Sequence, residues 1–196
     1  MFTKLLLATH NTNKVNELKS MLSSYKIEII SASELNLPDI EETGTTFAEN
    51  AILKAEALSD LSGLACLADD SGLCVDALDG RPGVYTARYA PNRDFDKGMD
   101  KLLQELKDKP LSERKAHFSC VLALKTPSKH CQTFEGRVDG TISLSKHGNE
   151  GFGFDPVFIP QGYSQTFAEM SKEQKANLSH RGKALKQFIK EVFETV

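Results

Sequence analysis

Leu5-Leu6-Leu7-Ala8-Thr9-His10-Asn11-Thr12-Asn13-Lys14 joins an apolar run of four residues to a polar hexapeptide. The run reads as a buried strand and the hexapeptide as the turn leaving it. Val15, Leu18, Met21 and Leu22 then recur at helical spacing, so a helix follows. Working outward, Ile27 and Ile29 alternate with polar neighbours in a second strand, and the polar stretch from Ser33 to Gly44, with Pro38, reads as loop. Thr46-Phe47-Ala48-Glu49 has the capping-box pattern, Thr at the N-cap and Glu three residues on. Phe47, Ala51, Ile52, Ala55, Leu58 and Leu61 form the apolar stripe of the helix it opens, with Gly63 as its C-cap.

Leu64 to Ala68 predicts a third short strand that ends abruptly at Asp69-Asp70-Ser71-Gly72. A turn-rich segment surrounds Arg81-Pro82-Gly83, and the region from Phe95 to Leu106 reads as helix. Ala116, Phe118, Cys120, Leu122 and Leu124 alternate with His117, Ser119 and Val121, a period of two that predicts a strand. Phe134 to Ile142 is expected to hold one or two more. Ser171-Lys172-Glu173-Gln174 is a second capping box, and Leu178, Leu185, Phe188, Ile189 and Val192 give the last helix its buried face. Strands and helices alternate early and strands cluster later, which makes an α/β fold with a mixed sheet. No repeat, low-complexity tract or linker interrupts the chain.

With 196 residues, 40% hydrophobic and 26% charged, the chain has the profile of a soluble globular protein of one domain, or two closely packed lobes. A net charge of −3 without a large basic block argues against a grip on a nucleic-acid backbone. The apolar run from Leu5 to Ala8 is too short for a signal-peptide core or a membrane span, so a cytoplasmic protein without membrane contact is expected. Cys66, Cys74, Cys120 and Cys131 form no CxxC pair and no His stands at zinc-ligand spacing, which favours reduced thiols.

Five segments could carry chemistry, and each has an ordinary alternative. Thr9 to Lys14, where a strand opens a helix, offers backbone N–H groups, a hydroxyl and a lysine to a phosphate; it also fits a plain connection with Asn and Thr as caps. Asp69-Asp70-Ser71-Gly72 sets two carboxylates side by side. In a regular strand they would face opposite ways, so sharing one ion requires a turn, which Gly72 permits; a surface Asx turn is the alternative. The Glu41-Glu42 carboxylates in the loop could complete a Mg²⁺ site; Lys54 follows on the next helix, where a lysine is commonly a snorkelling side chain. Gly151-Phe152-Gly153-Phe154-Asp155-Pro156 could stack on a nucleobase, or be a kinked strand that sends both phenylalanines into the core. Lys175 with Ser179-His180-Arg181 could meet phosphates or oxo groups, or form a solvated basic helix face.

Taken in order, these segments resemble the inosine/xanthosine triphosphate pyrophosphatase family. Thr9 to Lys14, Glu41-Glu42-Thr43-Gly44, Phe47-Ala48-Glu49-Asn50-Ala51 with Lys54, and Asp69-Asp70-Ser71-Gly72-Leu73 begin the match. Pro82-Gly83-Val84-Tyr85 with Ala87-Arg88-Tyr89, Gly151 to Pro156, and Ser179-His180-Arg181-Gly182 continue it, so it runs from about Leu5 to Leu185. His10 stands where many members carry Gly.

The resemblance implies a homodimer built on a long central mixed β-sheet with helices on both faces, its two lobes around an active-site cleft. It implies Mg²⁺-dependent hydrolysis of ITP, dITP and XTP to the monophosphate and pyrophosphate. By carry-over, Asp70 is the general base and Lys54 a catalytic cation; Glu42 joins Asp70 on the metal, with Glu41 or Asp69 as further candidates. Thr9, His10, Asn11, Thr12, Asn13 and Lys14 bind the triphosphate, while Ser71, Phe152, Gly153, Phe154, Asp155, Lys175, His180 and Arg181 hold the nucleotide. A phosphatase releasing single phosphates, and a nucleotide sensor without turnover, are the rival functions.

Overall fold

The computed structural model describes residues 2–194. Its six-stranded sheet has the order β2-β1-β3-β4-β5-β6, where β1 is Lys4–Leu7, β2 Glu28–Ser31, β3 Ala65–Val75, β4 Lys115–Thr126, β5 Lys129–Ile142 and β6 Phe158–Pro160. β1 runs parallel to both β2 and β3, and β5 and β6 are antiparallel, so the sheet is mixed and the fold is α/β. The chain divides into two compact units, one formed by the described parts of Met1–Asp70, Val121–Glu135 and Ala184–Val196, the other by Ser71–Cys120 and Gly136–Lys183.

In the first unit β1 is central, with Leu6 facing Ile30 on one side and Cys66 on the other. Leu5, Leu6 and Leu7 are fully buried, as expected of a parallel strand covered on both faces, which needs an unbroken apolar run. Helix α1 (Thr12–Met21) follows β1, and Asn11 is its N-cap. Helix α2 (Phe47–Ser62) leads into β3; the Thr46–Glu49 capping box closes its start, and Gly63, with φ 69°, ends it in the left-handed conformation. Its buried stripe packs Ala51, Ala55 and Leu58 with Leu6, Cys66, Ala68, Val121 and Ala123.

The second unit holds helix α3 (Phe95–Glu105), capped by Asp94, and helix α4 (Lys172–Leu178), opened by the Ser171–Gln174 capping box. Helix α5 (His180–Val192) begins here and ends in the first unit. The core of this unit is aromatic. Phe118 packs edge-on against Phe158 at 4.8 Å, Phe167 lies 5.2 Å from Phe158, and His180 stacks on Phe118 at 4.7 Å with the rings 9° apart.

Two expectations need correction. The third strand does not stop at Asp69: β3 continues through Asp69-Asp70-Ser71-Gly72 to Val75, so there is no turn at Gly72. Thr12, Asn13 and Lys14 belong to the first turn of α1 instead of the loop before it. The strand expected within Phe134 to Ile142 is present as one continuous strand that starts earlier, at Lys129.

Candidate active site

Two clusters collect the residues singled out in the sequence, one in each unit. In the first unit, the end of β1 delivers Thr9 to Lys14. The Thr9 hydroxyl accepts from the Asn11 N–H at 3.1 Å, and the Asn11 carboxamide oxygen accepts from the Asn13 and Lys14 N–H groups at 3.0 and 3.3 Å. Two of the orphan N–H groups at the helix start are therefore satisfied by its own cap, and an incoming phosphate would meet the positive dipole end there. His10 Nε2–H donates to the Leu37 carbonyl at 2.9 Å, and Nδ1 lies 3.6 Å from Asp39 Oδ1. It is not among the described residues with positive φ, so it meets no demand for glycine.

Because β3 stays extended, the Asp69 and Asp70 side chains alternate in direction, and their nearest ammonium groups differ. Lys14 Nζ lies 2.5 Å from Asp69 Oδ1, a pair almost closed to solvent on the aspartate side. Lys54 Nζ donates to Glu42 Oε1 at 2.6 Å and to the Asp69 carbonyl at 2.8 Å, and lies 3.7 Å from Asp70 Oδ1. Lys54 is 7% exposed, which overturns the snorkelling alternative. Burial works to lower its pKa, but Asp70, Glu42 and Asp69 outweigh that and hold it above the ordinary value. Burial pushes the Asp70 carboxyl up to about 6, Lys54 and Lys14 pull it down, Glu42 adds repulsion, and the Asn50 amide favours the ionised form.

Among the described residues no group of three or more His, Cys, Asp and Glu side chains is placed to hold a metal. Glu42 and Asp70 nevertheless converge on one ammonium, and Asp70 Oδ2 is buried without a hydrogen-bond partner among the described residues. Two carboxylates with a spare hard oxygen suit Mg²⁺, which takes one or two carboxylates and fills its shell with water and substrate phosphates. Asp69 is committed to Lys14, and Glu41 is exposed in the loop, so neither stands in this pair.

In the second unit Gly151, at φ 75°, brings the chain so close to Asp155 that a Cβ would lie 2.1 Å from Asp155 Oδ2. That oxygen accepts from the Phe152 N–H at 2.8 Å and from Lys175 Nζ at 2.6 Å. The half-buried Phe152 ring carries two cations, Lys175 Nζ at 4.7 Å and the Arg181 guanidinium at 5.7 Å from its centroid. Arg181 also donates to the Ser71 hydroxyl at 3.0 Å, which ties the start of α5 to β3 just past Asp70. Lys175, His180 and Arg181 are 6%, 5% and 3% exposed, so the solvated basic face is excluded.

Within this loop the two phenylalanines part. Phe152 stays with the cations, while Phe154 enters the aromatic core, edge-on to Phe95 at 6.0 Å; its side chain serves packing, against its expected place on the nucleotide. Asp155 acts inside the protein, as the brace of Phe152 and Lys175. Sequence reasoning gave no role to Asn50, a wholly buried carboxamide on α2 beside Asp70. The signal for it was present: an Asn among the buried positions of an apolar helical stripe, where it has poor propensity and needs a partner.

The pattern of the Ham1 family matches residues 5–191. A protein of Oceanobacillus iheyensis named dITP/XTP pyrophosphatase is 47% identical, the match covering 95% of this chain and 96% of that protein. One of the same name from Zymomonas mobilis is 46% identical over 95% of this chain and 90% of its own length. The solved structure of a HAM1 protein from Coxiella burnetii superposes with a TM-score of 0.89 at 38% identity and covers both chains completely. With the family pattern spanning nearly every residue and relatives of this identity matched along almost their whole length, the chain belongs to the Ham1 family.

Proposed function

We propose that the chain hydrolyses deaminated purine nucleoside triphosphates, dITP, ITP and XTP, to the monophosphate and pyrophosphate, with Mg²⁺ as cofactor. The observation that carries this reading is Asp70: a buried carboxylate beside Glu42 and Lys54, with one oxygen left over. Two relatives named dITP/XTP pyrophosphatase support the substrate class.

In the reaction a water oxygen bonds to the α-phosphorus and the bond from that phosphorus to its bridging oxygen breaks. Pyrophosphate leaves with the bonding electrons, and the water's proton passes to an Asp70 carboxylate oxygen. Held near 6, Asp70 is ionised at neutral pH and more basic than an exposed aspartate, which suits proton acceptance. Glu42 and Asp70 are the residues that would hold Mg²⁺, which supplies Lewis-acid neutralisation of phosphate oxygens. Lys14 and Lys54, already confined by carboxylates, present fixed positive charge to the triphosphate without reorganising. Phe152 offers its ring face to the purine, and Arg181 and His180 supply N–H donors for the 6-oxo group. Adenine, with an amino group there, would leave such donors unpaired at a cost of about 1–3 kcal/mol for each buried group.

The reading extends to a homodimer, which the family resemblance implies, and to a cytoplasmic location, in keeping with four free cysteines. No described helix is long and apolar enough to cross a membrane. The test is Asp70→Asn, followed by calorimetric titration with dITP and by turnover with Mg²⁺. Affinity is expected to stay within a few-fold while turnover falls by about 10³-fold or more. Retained turnover would remove Asp70 from the base role.

A further inference from the structure

Asn50 sits on the fourth residue of α2, completely buried, and its carboxamide has only one possible orientation. The Gly44 N–H donates to Oδ1 at 2.7 Å, and only an acceptor can face a backbone donor. Nδ2 is thereby turned away from Gly44. It is buried and, among the described residues, has no hydrogen-bond partner; the same is true of Asp70 Oδ2. Lys54, one turn after Asn50 on α2, reaches to 3.7 Å from Asp70 Oδ1, so the helix face that carries Asn50 looks toward Asp70; the Asn50 amide favours the charged carboxylate. An orphan donor on α2 and an orphan acceptor on β3, both withdrawn from water, each lack the one thing the other supplies.

From this geometry we infer that Asn50 is a positioning residue: Gly44 fixes its carboxamide, and Nδ2–H then aims the Asp70 carboxylate at the attacking water. A carboxylate oxygen has two acceptor sites, so one N–H bond leaves the others for a cation and for the proton. Gly44 completes the arrangement. A Cβ there would lie 2.7 Å from Asn50 Oδ1, so any side chain at position 44 pushes the amide off its anchor. The inference rests on the function proposed above and adds to it a chain of three groups, Gly44, Asn50 and Asp70, in which only the last touches substrate.

Three variants test it, each in the wild-type and Asp70→Asn backgrounds, with dITP and Mg²⁺. Asn50→Asp keeps the acceptor for Gly44 and deletes the donor; Asn50→Leu deletes both; Gly44→Ala retains Asn50 but displaces its carboxamide. In the wild-type background each should lower kcat by about 10- to 100-fold, the scale on which misplacement of a reacting group acts, with KM within about twofold. In the Asp70→Asn background none should lower turnover further, since the group they aim is gone. Melting curves identify any variant that fails to fold, and Gly44→Ala, in the loop before α2, stands if a core substitution does not. Unchanged kcat, a rise in KM without loss of kcat, or equal losses in both backgrounds would overturn the inference. If the wild type releases no pyrophosphate from dITP, the proposed function falls and the inference with it; normal release with unaffected variants removes the inference alone.

Discussion

Asp70 is a carboxylate that the fold would be more stable without. Its pKa rises from 3.8 to about 6, first because burial strips its water, and Lys54 and Lys14 repair that only in part. Between those two values the folded chain binds more protons than the unfolded one, so stability falls as pH rises, and the penalty is complete above about 6. Asp70→Asn in the metal-free protein is therefore expected to raise Tm at about pH 7.5, and the gain should vanish near pH 4. A lower Tm at both pH values would contradict the account. Lys54 has the opposite balance, because its removal leaves Glu42 and Asp70 buried together. Lys54→Ala should cost about 3 kcal/mol of stability, read from denaturant unfolding, and lower kcat more than it raises KM. A pure rise in KM would make Lys54 a ground-state ligand. At this scale the sequence singled out Lys14, Lys54, Glu42 and Asp70 by type and order, and the structure gathers them around Asp69 and Asp70. It was not legible for Phe154 or Asn50, because which phenylalanine faces the core, and what a buried amide faces, are decided by distant partners.

At the scale of elements, local rules worked wherever a local group completes the structure. Both capping boxes formed, and Gly63 adopted the left-handed end that only glycine takes freely. They failed at β3. Asp-Asp-Ser-Gly has turn composition, yet the strand runs through it, with Lys14 paired to Asp69 and Lys54 near Asp70 to neutralise what burial makes costly. The extended backbone also gives Asp69 and Asp70 different ion-pair partners, Lys14 for the one and Lys54 for the other. Thr46→Ala should cost about 1 kcal/mol by chemical denaturation through loss of the α2 cap. Because α2 also carries Asn50 and Lys54, kcat is expected to fall with it. Unchanged stability would mean that tertiary packing alone sets the helix start. At the end of β2, Glu34 accepts from the Ser31 N–H and hydroxyl, both at 2.7 Å, and pairs with Lys19. The Ser31 bonds, aided by Lys19, hold its pKa near 2, below the ordinary 4.5. Its contribution is present above 4.5 and lost as pH falls toward 2. Glu34→Gln should lower Tm at neutral pH, and that difference should close across the same interval; a constant difference would assign the loss to packing.

For the molecule as a whole, fold class was readable because early alternation of strand and helix and later clustering of strands survive errors of a few residues at each boundary. The division into two units was not readable in detail. Its borders at 70/71, 120/121 and 135/136 fall inside strands β3, β4 and β5, where no glycine-rich or polar linker marks them. Substrate class lies beyond any single cluster: buried carboxylates and lysines suit many phosphate esters, and the deaminated purine enters through the family and through donors suited to an oxo group. The measurement that tests this most directly is product analysis by ion-exchange chromatography, after incubation with Mg²⁺ and dITP, XTP, ATP or GTP in separate reactions. Monophosphate with an equal amount of pyrophosphate from dITP and XTP, and little product from ATP or GTP, is the predicted result. Diphosphate with orthophosphate, or equal hydrolysis of all four, would contradict it.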